Sequence, residues 1–264
     1  NFSISLNYYL DWSFKFYYRY VAGLSAPDEV SAEIDSATFG SIFHYAAEHI
    51  YKDLTTHGKV INKEALETLL RNEVKLQDYV DTAFKKLFFN VPQNEKPEYN
   101  GVQLINSAVI ARYLKQLLQN DLRYALHFYC IGNGSGWTID IQTPKGVIKS
   151  RIGGIIDRMD SKDGTLRIVD YKTGGDADTP PHVESLFIPD KKRSNYVFQT
   201  FLYAAIMCRK QPTMKIAPAL LYIHRAATET YSPVIQMGEH ESPKRLWKIS
   251  VNMKKNTVND FKDY

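Results

Sequence analysis

The chain has 264 residues, 44% hydrophobic and 23% charged, with two cysteines and a formal net charge of +4. That composition gives a globular chain enough apolar material for a core, and it excludes a disulfide-stapled miniprotein and a four-thiolate metal site. No apolar run reaches membrane-spanning length and no signal peptide is visible, so the expectation is a cytoplasmic protein with no membrane partner.

Residues 1–24 carry an aromatic-rich helical pattern closed by Gly23, with Ser3 or Ser5 as a cap. The start at Asn1 reads as a piece of a longer protein. Residues 37–56 predict an amphipathic helix, because Ile42, Phe43, Ala46, Ala47, Ile50 and Leu54 recur at spacings of three and four. Two more helices are expected over 62–90 and 101–128, separated by the breakers Pro92, Pro97 and Gly101. The period then changes. Trp137–Thr143 alternates, Pro144-Lys145-Gly146 turns, and Val147–Asp157 is extended. Ser-Lys-Asp-Gly at 161–164 signals a second turn before the short strand Leu166–Tyr171. A loop from Gly174 to about Ser194 leads to a helix over Asn195–Arg209 and a strand over Ala217–His224. The order argues for an α/β core, residues 131–264, preceded by an N-terminal helical segment, residues 1–130. Cys130 and Cys208 are expected to be buried free thiols.

The chemistry concentrates in IGGIIDRMD and LRIVDYKTGG. Asp157 and Asp170 end consecutive extended segments, and a meander brings both carboxylates to one sheet edge. Two adjacent carboxylates repel unless a cation lies between them, and oxygen ligands suit Mg²⁺ or Mn²⁺. Lys172 lies two residues beyond Asp170 and faces the same side of the strand. An ammonium there can position or help deprotonate a water and offset phosphate charge. A lone Asp-x-Lys is more often a solvated ion pair; the combination of elements around it favours chemistry.

Gly154-Ile-Ile-Asp157-Arg158 and Ile168-Val-Asp170-Tyr-Lys172-Thr-Gly174 resemble the nuclease domain of RecB- and AddB-type enzymes in the PD-(D/E)XK superfamily. Gly40-Ser-Ile-Phe-His44 is similar to the upstream Gly-x-x-x-His element, and Gln199-Thr-Phe-Leu-Tyr203 to the downstream Gln-x-x-x-Tyr helix. The opening Ser3-Ile-Ser5 with Tyr9, Phe16 and Tyr17 resembles the segment that begins such domains. The resemblance implies a restriction-endonuclease-like mixed sheet flanked by helices. It implies metal ligation by His44, Asp157, Asp170 and the Tyr171 carbonyl, with Lys172 as the catalytic lysine. Gln199 and Tyr203 would contact substrate or brace the site. On its helix alone, His44 reads as a core histidine, and Gln199 and Tyr203 as an i,i+4 pair. Glu48 reads as support for His44 or a surface charge.

Many AddB-like domains carry an iron–sulfur cluster. Here Trp12-Ser13 stands at the Cys-Pro position and the C-terminal tail has no cysteine, so no cluster is expected. Trp12 is expected to pack where the cluster would hold the two ends together. Lys191-Lys192-Arg193 is a candidate phosphate contact or a solvated charge run. Arg158 reaches nucleic acid or holds a neighbouring carboxylate. The opening aromatics are expected mostly in the core, with base stacking as the alternative.

The sequence therefore predicts a metal-dependent deoxyribonuclease, an exonuclease by resemblance, partnered with a helicase in double-strand-break repair. No ATP-binding Gly-x-x-x-x-Gly-Lys-Ser/Thr loop occurs in the chain itself. The alternatives are a silent DNA- or partner-binding module and a metal-dependent hydrolase of another substrate.

Overall fold

Apolar stripes on the helices of the first half need a surface to cover, and the strands of the second half supply it. The computed structural model describes residues 8–24, 33–55, 61–95, 97–123, 127–144, 146–176, 179–188 and 193–237, with backbone alone at 127–135, 137, 139, 141, 143 and 162. Ser3 and Ser5 lie outside these.

Helix α1 (Ser13–Phe16) runs into a π turn, Tyr17–Val21. Gly23 ends it in the left-handed region, φ 68°, which a glycine adopts without penalty. The aromatics of this segment do not enter the core. Tyr9, Phe14, Tyr17, Tyr18 and Tyr20 are each at least 40% exposed and Trp12 is 61% exposed, which corrects the expectation that Trp12 and its neighbours pack inward. They meet each other instead, edge to face, as in Tyr8–Tyr20 and Tyr9–Phe16.

Helix α2 (Ser36–Leu54) starts at Asp35, whose carboxylate accepts from Thr38 N–H at 2.6 Å. Its face of Ile42, Phe43, Ala46, Ala47 and Ile50 is fully buried, as the periodicity requires. The stretch 62–90 forms two helices, α3 (Lys63–Arg71) and α4 (Glu73–Phe84), with a wide turn over Lys85–Phe89. Asn72 divides them: its backbone leaves the helical region (φ −98°, ψ 83°) and its amide oxygen accepts from Lys75 N–H. Helix α5 (Gly101–Arg123) ends earlier than predicted, and from His127 the chain is strand. Gly132, Gly134 and Gly136 weaken any helix there, and pairing with the next strand satisfies the backbone instead.

The sheet contains β1 (His127–Thr143), β2 (Gly146–Lys162), β3 (Thr165–Lys172) and β4 (Lys215–Tyr222), in that spatial order. The first three pair antiparallel; β3 and β4 are parallel, linked through α6 (Asn195–Lys210). Asp163 and Gly164, both at positive φ, make the tight turn between β2 and β3.

Strand β3 is buried on both faces. Val169 and Tyr171 join Phe43, Val80, Leu114 and Leu118 of the N-terminal helices in one cluster. Leu166 and Ile168 face the other way, onto Tyr203, Ala204 and Met207 of α6. The mixed sheet is thus flanked by helices on both sides. Cys208 is a half-buried free thiol on α6, and the side chain of Cys130 lies outside the described residues. Among the described residues, no helix is long and apolar enough to cross a membrane.

Candidate active site

The β2–β3 ladder stops at Arg158↔Val169. One residue on, where the strands part, the Asp157 side chain replaces the missing backbone partner: its Oδ2 accepts from Tyr171 N–H at 2.8 Å. Continuing the register puts Asp157 across from Asp170, on the face of the sheet that α6 covers. Lys172, two residues beyond Asp170, lies on the same face. Its Nζ is 2.6 Å from Asp170 Oδ2 and 3.9 Å from the centre of the Tyr196 ring.

The splayed strands open onto a cleft of about 1230 Å³, lined among others by His44, Asp157, Asp170, Lys172, Tyr196 and Gln199. His44 comes from the third turn of α2, which brings its Nδ1 to 3.1 Å from Asp157 Oδ1. Four of the residues singled out in the sequence therefore line one cleft, as the pairs His44–Asp157 and Lys172–Asp170. The Lys172–Asp170 pair is no solvated surface pair, since their side chains are only 16% and 8% exposed.

Burial pulls the His44 imidazole down, but the Asp157 charge and hydrogen bond, with Asp170, outweigh it, and its pKa stands above 6.5. Burial pushes the Asp170 carboxyl above the usual carboxylate range; Lys172 opposes that rise and Asp157 adds to it. A histidine held above 6.5 contributes stability that is fully present below pH 6.5 and is lost as pH rises through its folded value. In metal-free protein, His44 is therefore expected to titrate above 6.5 in an NMR pH series. Asp157→Asn should bring it to or below 6.5, because burial then dominates. An unchanged His44 titration in that variant would refute this account of the pair.

Among the described residues, no three His, Cys, Asp or Glu side chains are gathered around one point. Here His44 turns to Asp157 and Lys172 to Asp170. The donor set still suits a hard divalent cation: two carboxylates, an imidazole and the adjacent Tyr171 carbonyl. Asp170 Oδ2 points the same way. It is buried, and despite the close ammonium no donor among the described residues is aimed at it with hydrogen-bonding geometry.

Gln199 lines the cleft, and its Nε2 donates to Tyr203 Oη at 3.1 Å. Tyr203 is 1% exposed and does not line the cleft; it braces Gln199 from the core. Glu48 is paired with Lys52 one turn on.

Two expected nucleic-acid contacts are corrected. Arg158 is fully buried: Nη1 lies 2.7 Å from Asp121 Oδ2 and Nε 2.8 Å from Asp160 Oδ2, so it presents no surface to a ligand. Arg193 is 7% exposed, with Nη2 2.7 Å from Asp11 Oδ1 and its guanidinium over the Phe198 ring. It ties the opening segment to α6. Lys191 and Lys192 lie outside the described residues.

Tyr196 was not singled out in the sequence. It precedes Gln199 by three residues, so the two share a face of α6, and that spacing was the available signal. Lys15, also on the cleft wall, belongs to no motif.

A mixed sheet between helices, with two carboxylates and a lysine converging where its central strands part, defines a restriction-endonuclease-like α/β protein. A family model described as the PD-(D/E)XK nuclease superfamily matches residues 2–260, and the chain belongs to that superfamily. No curated protein matches the chain.

Proposed function

We propose that the chain is a Mg²⁺- or Mn²⁺-dependent deoxyribonuclease domain, an exonuclease of the RecB/AddB kind that works with a helicase. The observation that carries this is the convergence of Asp157, Asp170 and Lys172 at one end of an open cleft. Asp157, Asp170, His44 and the Tyr171 carbonyl would hold the cation. When bound, the cation lowers the pKa of a water and offsets charge on phosphate oxygens.

The chain's own groups do the rest. Asp170 and the Tyr196 ring fix the Lys172 ammonium, which faces the cleft and orients the attacking water or helps take its proton. Tyr203 steadies Gln199 against the strand that enters. His44 needs a free imidazole nitrogen to act as a ligand, so proton and metal compete for it. The order of motifs supports the RecB/AddB reading, which brings the helicase partner and the repair context with it.

The test is digestion of end-labelled single- and double-stranded DNA with Mg²⁺, Mn²⁺ or EDTA. Metal-dependent release of short products from an end is the expected result. An internal ladder would replace the exonuclease with an endonuclease. No cutting with either metal, with or without a helicase feeding the strand, would leave a silent binding module.

A further inference from the structure

Strand β2 is far longer than its partnership with β3. It pairs with β3 only from Arg158 to Lys162, yet with β1 all the way to Gly146. Residues 134–155 therefore form a two-stranded ribbon that leaves the sheet at the point where the cleft opens, roughly 30 Å long at 3.3 Å per residue. Such a ribbon is marginally stable by itself in water, and this one is open: Val147 and Ile148 near its tip are each 55% exposed.

One face of the ribbon is continuous with the cleft. Side chains of a strand alternate, so Ile155, Gly153, Arg151 and Lys149 share the face of Asp157. Ile155 lines the cleft beside Asp157 and is 57% exposed. Beyond it the face has a glycine floor, because Gly153 pairs with Gly136 and Ile155 with Gly134. Arg151 lies over that floor: a β-carbon at Gly136 would stand 2.8 Å from its Nε. Arg151 is exposed and sits opposite Thr138, with no acidic partner among the described residues. Lys149 is also exposed; Asp140 opposes it in register.

We propose that this ribbon face is a track for the substrate backbone, on which a nucleic-acid strand passes along the glycine floor beyond Ile155 and is held by Arg151, whose guanidinium lies over that floor, and, behind it, by Lys149. The proposal rests on the nuclease reading and deepens it. A floor of glycines lets a sugar–phosphate chain lie close, and the Arg151 guanidinium laid over it and Lys149 beyond meet phosphates without reading sequence. The Arg151 guanidinium lies over Gly136, which is in register with Gly153, four residues or roughly 13 Å along the strand from Asp157. That is the reach of roughly four stacked nucleotides at 3.4 Å each. Contact with Arg151 therefore begins only when the substrate extends that far beyond the scissile bond.

The experiment compares Lys172→Ala with Lys172→Ala/Arg151→Ala/Lys149→Ala, so that cutting does not interfere. Fluorescence anisotropy gives the affinity for long (about twenty nucleotides) and short (about three nucleotides) single strands across a salt series. The track predicts that the long strand binds about tenfold more weakly to the triple variant, with its salt slope lower by about 1.4, near 0.7 for each phosphate no longer neutralised. The preference for the long over the short strand should collapse by a similar factor, and restoring Arg151 as Lys should recover part of it. Equal long-strand affinity and slope in the two proteins, both folded by circular dichroism, overturns the track and leaves the nuclease reading standing. Absence of binding to any strand by the Lys172→Ala parent overturns both.

Discussion

Replacing Lys172 with Ala is expected to slow cleavage by about a hundred- to ten-thousandfold, the range for a positioned acid–base group, while the protein stays folded. The side chain makes few interactions that the fold needs: the pair with Asp170 and the Tyr196 ring. Its removal takes the cation from a buried carboxylate. Asp170 already stands above the usual carboxylate range because of burial, so it takes up a proton more readily than it keeps an uncompensated charge. Metal binding separates this role from that of a ligand. With the ammonium gone, one positive charge that repels a divalent ion is removed, so Mg²⁺ affinity by calorimetry should hold or increase. Asp170→Asn should instead weaken it along with activity. Lys172→Arg should not restore cutting, because guanidinium keeps its proton and its planar fork does not fit a site shaped for a point charge. Native rates in Lys172→Ala would remove the assignment of this site.

Much of that site was legible in the sequence, and the reason is local geometry. Alternation along β3 places Asp170 and Lys172 on one face wherever the strand lies, and the Asp-Gly turn at 163–164 returns β2 beside it. The helical face of α2 follows from spacing alone. What escaped depends on partners far away in sequence. Arg158 follows Asp157 directly and reads as part of the motif, but its partner Asp121 lies on helix α5, 37 residues earlier. Arg193 closes a basic run and reads as a phosphate contact, yet Asp11, 182 residues away, takes its charge. Asn72 hides in a continuous helical pattern because one side-chain cap can end a helix that the periodicity would continue. The length of β1 escaped because alternation is visible only over Trp137–Thr143, and pairing with β2 is what carries the strand back to His127.

Arg158→Met is expected to cost about 3–5 kcal/mol at neutral pH, the range for removing one partner of a buried ion pair. The guanidinium bridges Asp121 of α5 to Asp160 of β2, and Tyr51 of α2 also donates to Asp121. Asp160 keeps Arg167, at 2.6 and 3.0 Å. Among the described residues Asp121 then keeps only the tyrosine hydroxyl and becomes the uncompensated charge. Its carboxyl is already raised by burial, against the pull of Arg158, and losing Arg158 raises it further. A carboxyl whose folded value exceeds its unfolded one destabilises the protein at high pH, and folding gains as pH falls from the folded value towards 3.8. The deficit of Arg158→Met in denaturant melts should therefore shrink as pH is lowered, and Arg158→Met/Asp121→Leu should recover part of it at neutral pH. The same variant separates a structural role from a place on the DNA surface. A buried tie between helix and sheet lowers stability and leaves the affinity of the folded fraction for DNA, and its salt slope, as they were. A DNA contact would do the reverse. Normal melting with weakened, less salt-sensitive binding would return Arg158 to the nucleic-acid surface.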